Sequence, residues 1–200
     1  MPREYKMRKR AEDWQKTRDR ILEVTMQLHD EKGVAPTTFS DIAKRAGIGQ
    51  ATLYRHFPTP SDLVRTCGGH AWQEMRPLIP PDAPAAFEGL TGKSDRLAKL
   101  VEEVDAFYRR GALRLGLAGR DRELIPELDF FLKAVEAGVD AYVNEALAPL
   151  NLPKRTLNIV AAMVSFPVWQ RFSQLDLSDR KSRELTAKLI ECAMRAAEGL

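Results

Sequence analysis

The chain has 200 residues, of which 44% are hydrophobic and 30% are charged. A chain of this length and composition can bury a substantial apolar core, which argues against intrinsic disorder. The net charge of +3 is concentrated near the N-terminus, because residues 1–65 hold 13 Lys and Arg against 9 Asp and Glu while the remainder holds 18 against 19.

Apolar residues recur at helical spacing along almost the whole chain, and no segment shows sustained strand-like alternation. We therefore predict an all-α fold. The two cysteines, Cys67 and Cys192, lie too far apart to suggest a disulfide framework and fit reduced thiols in the cytoplasm. The longest apolar run, residues 159–169, falls short of the roughly 20 residues that span a bilayer, so we expect neither a membrane span nor export.

The first ten residues form a predicted basic arm, with five Lys and Arg against one acid. Such an arm fits phosphate contact driven by counterion release, although a solvated terminus is an equal alternative. A first helix is predicted from about Ala11 to Glu31, with a stop at Gly33. One stripe of this helix comprises Trp14, Ile21, Thr25 and Leu28.

Two short helices should follow, residues 39–46 and 50–56, joined by a Gly-Ile-Gly turn. Thr38 and Asp41 have the spacing of a capping box, and Gly47 suits the left-handed conformation of a sharp turn. Leu53 and Phe57 should point inward. The side chains expected to point outward are Gln50, Thr52, Tyr54, Arg55 and His56. A major groove of DNA accommodates two short helices of this kind.

Residues 38–57 follow the pattern T-x-x-x-I-A-x-x-A-G-I-x-x-A-T-L-Y-R-H-F, and Leu63 comes next in register. With Ile21, Leu22 and Gly33 upstream, this stretch resembles the DNA-binding domain of the tetracycline repressor (TetR) family over roughly residues 17–65. The resemblance implies a helix-turn-helix domain at residues 11–58, after the arm at 1–10. It also implies a helical effector-binding and dimerisation domain at residues 59–200.

Nine positions are candidates for DNA contact, and the resemblance carries a role onto each of them except Lys44. They are Thr38, Ser40, Lys44, Gln50, Ala51, Thr52, Tyr54, Arg55 and His56. Gln50 and Ala51 would face base edges, since Gln pairs with adenine and Ala contacts the thymine methyl group. Thr38, Thr52, Tyr54 and His56 would bind phosphates and fix the register, and Arg55 would do either.

Two positions depart from the family pattern. Gly49 stands where Ser is usual, which weakens the N-cap of the second short helix by about a few tenths of a kcal/mol. Pro60 stands where Lys is usual, which removes a phosphate contact; Lys44, Arg45 and the basic arm are candidates to compensate. Without the family pattern, the alternative interpretations are that Tyr54 is a buried aromatic residue and that His56 is a charge that interacts with the helix dipole at a C-terminus.

Thr59, Pro60 and Asp62 predict the start of a fourth helix that runs to about Met75. The segment PLIPPDAP, residues 77–84, contains four prolines and is predicted to be extended. Further helices are predicted at residues 94–110, 112–118, 123–147, 154–174 and 180–197. Pro167 should kink the helix that contains it.

The last predicted helix carries an apolar stripe suited to a partner helix, formed by Leu185, Leu189, Cys192 and Ala196. The resemblance implies a homodimer through the last two helices, with packing inside one chain as the alternative. A dimer would place two recognition helices about 34–36 Å apart, which matches a palindromic double-stranded DNA operator.

The resemblance also implies a pocket for a small-molecule effector. Candidate lining residues are Cys67, Ala71, Phe107, Phe131 and Trp169. Aromatic residues at helical spacing belong more often to a core than to a binding site. The implied function is that of a repressor that an effector releases from its operator, with no cofactor and no metal.

Two other functions stay open. An all-α enzyme would use the carboxylates of Glu102, Glu103 and Asp105 or the pair Cys67 and His70, but the chain has no phosphate-binding loop or nucleophile motif. A structural zinc site needs four ligands, twice what that pair supplies. The second alternative is a DNA-binding regulator without an effector, which the absence of a cavity in the second domain would favour.

Overall fold

The structure, a computed structural model, describes residues 2–197 and the side chains of residues 7–197. Arg3 and Lys6 of the basic arm, and residues 198–200, therefore lie outside the described side chains. The helices are α1 (Pro2–Lys32), α2 (Phe39–Ala46), α3 (Gln50–His56), α4 (Pro60–Met75), α5 (Ala83–Ala86), α6 (Lys93–Asp121), α7 (Pro126–Leu147), α8 (Lys154–Met163), α9 (Phe166–Ser173) and α10 (Asp179–Ala197). Residues 2–197 contain no strand, which confirms the all-α prediction.

Helix α1 begins at Pro2, well before the predicted start near Ala11. Proline is favoured in the first turn of a helix, and most of the following residues are good helix formers. Arg8 and Glu12 add an ion pair at 3.4 Å, one turn apart. The start near Ala11 was predicted from the apolar stripe of α1, and the exposed residues before Ala11 do not continue that stripe.

Helix α6 is continuous where two helices were predicted, because Gly111 lies inside it. A Cβ at Gly111 would lie 2.7 Å from Sδ of Met75. The glycine therefore serves a close approach of Met75 to α6 and does not end the helix.

Prolines set the remaining boundaries. The segment predicted to be extended instead contains a 3-10 turn (Pro80–Asp82) followed by α5, since prolines fit the first turn of a helix, where no amide donor is needed. The helix predicted over residues 154–174 is broken into α8 and α9 and not merely kinked. Pro167 lies in the first turn of α9, where its missing N–H costs no helical hydrogen bond.

The chain forms two compact units. The first comprises Met1–Trp72 and Gly116–Phe130, and the second comprises Gln73–Leu115 and Phe131–Leu200. The predicted domain boundary after residue 58 stays a prediction. No helix within residues 2–197 is both long enough and apolar enough to cross a membrane.

Each unit has its own buried core. In the first unit, α1 to α4 contribute Ile21, Leu22, Val24, Leu28, Ile42, Ala43, Ala46, Leu53, Phe57, Leu63 and Cys67. In the second unit the largest fully buried side chains include Phe107 and Tyr108 of α6. There the buried Arg96 guanidinium donates to the carbonyls of Leu90 and Ala146 at 2.8 and 2.9 Å, which satisfies carbonyls at the end of α7 and after α5.

Candidate DNA-binding site

The turn into α2 has the predicted capping box. Thr38 Oγ1 accepts the amide N–H of Asp41 at 3.1 Å, and Asp41 Oδ2 accepts the amide N–H of Thr38 at 3.1 Å. Asp41 also pairs with Lys32 Nζ at 2.7 Å. Hydrogen bonds from Lys32 and Thr38 lower the pKa of Asp41 to about 2, so the box is ionised and intact at neutral pH.

The turn between α2 and α3 also matches the prediction. Gly47 is left-handed, with φ of 64°, and its amide reaches back to carbonyls of α2. At Gly49, which precedes α3, no side chain caps the helix. Helix α3 therefore starts without the side-chain cap that Ser would supply, as its sequence implies.

Helix α3 presents one buried and one exposed side. Leu53 and Phe57 are 0% and 1% exposed, which confirms that they point inward. The exposed DNA-contact candidates are Thr38, Ser40, Lys44, Gln50, Ala51, Tyr54 and Arg55, while Thr52 is half-buried. Tyr54 is 50% exposed and rests against Phe39, with ring centroids 5.0 Å apart. Except for His56, the predicted contact residues thus have side chains with access to solvent.

His56 does not point outward, so that prediction is wrong. It is 5% exposed, and its Nδ1 is buried without a hydrogen-bond partner. The reason is Trp14 of α1, whose indole lies 3.7 Å from the imidazole, centroid to centroid. Burial, with Arg55 and Arg18 nearby, lowers the pKa of His56, which favours the neutral ring.

Sequence reasoning missed the role of Arg18. Its Nη1 donates to the backbone carbonyl of His56 at 2.9 Å, and its guanidinium lies 4.1 Å from the Phe57 ring centroid. Trp14 and Arg18 are one helical turn apart, on the side of α1 that continues to the buried Ile21. That spacing was visible in the sequence, but nothing there showed that the stripe reaches α3.

The corner between α6 and α7 belongs to the same unit as the helix-turn-helix. Asp121, the last residue of α6, accepts the amide N–H of Ala35 at 3.0 Å, and Arg120 donates to the carbonyl of Lys32 at 2.7 Å. In the first turn of α7, Glu127 accepts the hydroxyl of Ser61 from α4. The loop between α1 and α2 and the start of α4 are thereby held to this corner.

The five candidate pocket residues are divided between the units. Cys67 and Ala71 lie on α4 in the first unit, where Cys67 belongs to the core, and Phe107, Phe131 and Trp169 lie in the second. Phe107 is fully buried beside Tyr108, which in turn contacts Trp169. An open groove of about 670 Å³ lies between α6 and α10 and is lined by other residues, among them Leu97, Val101 and Ala187.

Helix α10 buries Ile190 and Met194 within the chain. The predicted interface stripe lies on a different side, since Cys192 and Ala196 are exposed and Leu185 and Leu189 are half-buried. A partner helix would therefore cover apolar surface that the chain itself leaves partly open.

The carboxylates considered for an enzyme are engaged in ion pairs. Glu103 pairs with Lys99 at 2.7 Å. Asp105 accepts hydrogen bonds from Trp169 Nε1 at 2.8 Å and Arg183 Nη1 at 3.0 Å, besides Arg109. Burial would raise the pKa of Asp105, but these bonds hold it below the usual value. The described residues contain no group of three or more potential ligands that could hold a metal ion.

Residues 21–67 match the model of the tetR family of bacterial regulatory proteins. An HTH-type transcriptional regulator of Staphylococcus aureus strain USA300 is 49% identical over 57 residues, which cover 28% of this chain and 29% of that protein. The counterpart from strain NCTC 8325 matches equally. The match thus spans less than a third of these relatives' length.

Solved structures share the fold over a much longer stretch. A putative TetR-family transcriptional regulator from Mesorhizobium loti has a TM-score of 0.56 at 15% identity, covering 92% of this chain and 97% of that one. The regulator PfmR from Thermus thermophilus has a TM-score of 0.54 at 16% identity, covering 88% and 97%. LfrR from Mycobacterium smegmatis, solved in complex with proflavine, has a TM-score of 0.50 at 19% identity, covering 90% and 96%.

The comparisons confirm the resemblance read from the motif of residues 38–57. Residues 21–67 thus match the tetR family of bacterial regulatory proteins, and the chain shares its fold with TetR-family regulators.

Proposed function

We propose that the protein is a transcriptional repressor that binds operator DNA through α3 and leaves it when a small molecule binds the second unit. The exposed side of α3 carries this proposal. Gln50 and Ala51 at the start of the helix are exposed, with Tyr54 and Arg55 one turn further on. A helix of seven residues with donors at its N-terminal end fits the major groove, where Gln is suited to adenine.

Phosphate contacts are assigned to the margins of that helix. The Thr38 hydroxyl accepts one bond within the capping box and keeps its proton for a phosphate oxygen. Lys44 is exposed on α2, while Arg45 already pairs with Glu31 at 2.5 Å. Lys44 is therefore the better substitute for the Lys that the family usually has at position 60.

The homodimer is proposed from the half-open stripe of Leu185, Leu189, Cys192 and Ala196 on α10. Two copies joined there would bring two α3 helices to one DNA duplex. Operators of such dimers are palindromic, with half-sites about one helical turn or a multiple apart.

The effector response is proposed on two grounds. LfrR, which shares the fold, was solved in complex with proflavine. In this chain α4, α6 and α7 each begin in one unit and end in the other. A ligand that favours one arrangement of these helices in the second unit changes the population of DNA-competent dimers only through its different affinity for the two arrangements.

Selection of bound fragments from random DNA with the purified protein tests the DNA-binding part. We expect a palindrome with two equal half-sites. Absence of any enriched sequence would contradict the proposal. The effector part is tested by fluorescence anisotropy of the selected site, titrated with a library of apolar and cationic small molecules. Release by at least one compound is expected, and a complex that no compound perturbs would leave an effector-independent regulator.

A further inference from the structure

We propose that Trp14 and Arg18 of α1 are positioning residues for DNA recognition, which fix the C-terminal end of α3 and thereby the orientation of the side chains that read DNA. The inference rests on the proposed function of α3. Both residues precede residues 21–67, the stretch that matches the family model. Neither is expected to contact a base.

Helix α3 has weak support of its own. It contains seven residues, which is about two turns, and Gly49 gives it no side-chain cap. Isolated helices of this length are unstable in water, so packing must hold α3 in place. Leu53 and Phe57 anchor its buried side, but two apolar side chains four residues apart still allow the helix to tilt about the line that joins them.

The contacts from α1 restrict that tilt. Arg18 donates to the carbonyl of His56, at the last residue of α3, and stacks on Phe57. This bond satisfies one of the carbonyl groups that a helix leaves unpaired at its C-terminus. It also places a positive charge at the negative end of the helix dipole.

Trp14 supports the same end of α3 by contacting two of its side chains. Its indole covers the His56 imidazole, and the Arg55 guanidinium lies 5.7 Å from the indole centroid. Trp14 is itself 41% exposed, so it contributes little to the core. The position of Trp14 is therefore better suited to holding His56 and Arg55 in place than to stabilising the core.

The geometry links α1 to specificity. If α3 tilts, the side chains of Gln50 and Arg55 move relative to base edges, and base discrimination falls before general affinity for DNA does. Phosphate contacts are less sensitive, because flexible side chains reach phosphate oxygens from many orientations. A residue that only stabilised the fold would not change the ratio of operator affinity to random-DNA affinity, once the folded fraction is accounted for.

The test compares Trp14→Ala, Trp14→Phe, Arg18→Gln and Lys16→Gln in the full-length protein. Lys16 is exposed on α1, and Lys16→Gln removes the same charge as Arg18→Gln. Affinities are measured for the operator selected by the wild type, for operators with single base changes and for random duplex DNA, after titration of the active fraction. Thermal unfolding is recorded for each variant.

For Trp14→Ala and Arg18→Gln we expect the ratio of operator to random-DNA affinity to fall roughly tenfold, within the range that one base contact supplies. Trp14→Phe should recover most of that ratio, and Lys16→Gln should keep it. Equal losses on operator and random DNA, or unchanged ratios, would overturn the inference. If Trp14→Ala does not fold, the comparison of Arg18→Gln with Lys16→Gln still decides it. A wild type that selects no sequence would contradict the proposed function itself, whatever the variants show.

Discussion

The carboxylate of Asp121 accepts the backbone N–H of Ala35 at 3.0 Å, although 86 residues separate them in sequence. Asp121 is 3% exposed and also accepts from Arg120 Nε at 2.8 Å. The Arg120 and Ala35 donors hold the pKa of Asp121 below its usual value, against the effect of burial. The end of α6 is thereby bonded to the loop that leads into the helix-turn-helix.

Replacing Asp121 by Asn should lower the free energy of unfolding by about 1–2 kcal/mol, because a buried charged acceptor is lost while its donors remain. Urea denaturation measures the change. Glu123→Gln is the matched control, since Glu123 is exposed in the same corner and should stay within about 0.5 kcal/mol of the wild type. Equal, small effects for both variants would show that the bond does not stabilise the unit.

His29 makes stability depend on pH. Burial lowers its pKa from 6.5 to about 4, against the opposing charges of Asp30 and Asp121. The unfolded chain therefore binds a proton that the folded chain does not, and stability falls as the pH drops from about 6.5 toward 4. Urea denaturation at several pH values should show a shallower decline for His29→Gln. A wild-type slope identical to that of the variant would contradict this reading.

Gly49 and Gly47 should respond oppositely to Ser. At Gly49 the backbone has φ of −73° and an added Cβ meets nothing within 4 Å, so Gly49→Ser should gain about 0.5–1 kcal/mol from capping and from reduced unfolded-state entropy. At Gly47 the backbone has φ of 64°, where a Ser side chain is strained, so Gly47→Ser should lower the free energy of unfolding by about 1 kcal/mol or more. Thermal unfolding midpoints measure both. A loss with Gly49→Ser would show that α3 does not use this cap.

Tyr54 and Gln50 should differ in how they support DNA binding. Tyr54→Phe keeps the packing on Phe39 and removes the hydroxyl, so affinity should weaken similarly for all sequences and the salt dependence should change little. Gln50→Ala should lose discrimination at one base position in each half-site. Competition binding with single-base operator variants separates the two patterns. Sequence-independent losses for both would contradict the assigned roles.

The proposed dimer is tested at Leu189, which is half-buried on α10. Leu189→Asp should shift the protein to monomers in sedimentation and weaken operator binding roughly 100-fold, since a monomer loses the second, linked half-site. Lys181→Gln changes the charge by the same amount at an exposed position of α10 and should remain dimeric. A dimeric Leu189→Asp protein would place the interface elsewhere.

The sequence predicted what local chemistry determines. The three-residue spacing of Thr38 and Asp41 indicates the start of α2. Gly47 indicates its end, because a sharp turn after a helix needs a residue in the left-handed conformation. The boundaries of α2 and α3 followed from these two signals. Leu53 and Phe57 fixed the buried side of α3 by their spacing. These signals act within a few residues and do not depend on the rest of the fold.

The unpredicted features depend on distant residues. His56 is buried because Trp14 covers it, and no pattern around His56 indicates that contact. Helix α6 continues through Gly111 because Met75 packs there, which spacing alone did not show. Asp121 lies 86 residues from Ala35 in the sequence, so no local pattern indicates the bond between them. Each case needed the position of a second segment.

The most direct test of the account is a pair of DNA selections, one with the wild-type protein and one with Gln50→Lys. Because Lys prefers guanine where Gln prefers adenine, the two selected sites should be identical palindromes except for one adenine-to-guanine change in each half-site. An unchanged site, or one altered at many positions, would contradict the claim that α3 reads DNA through Gln50.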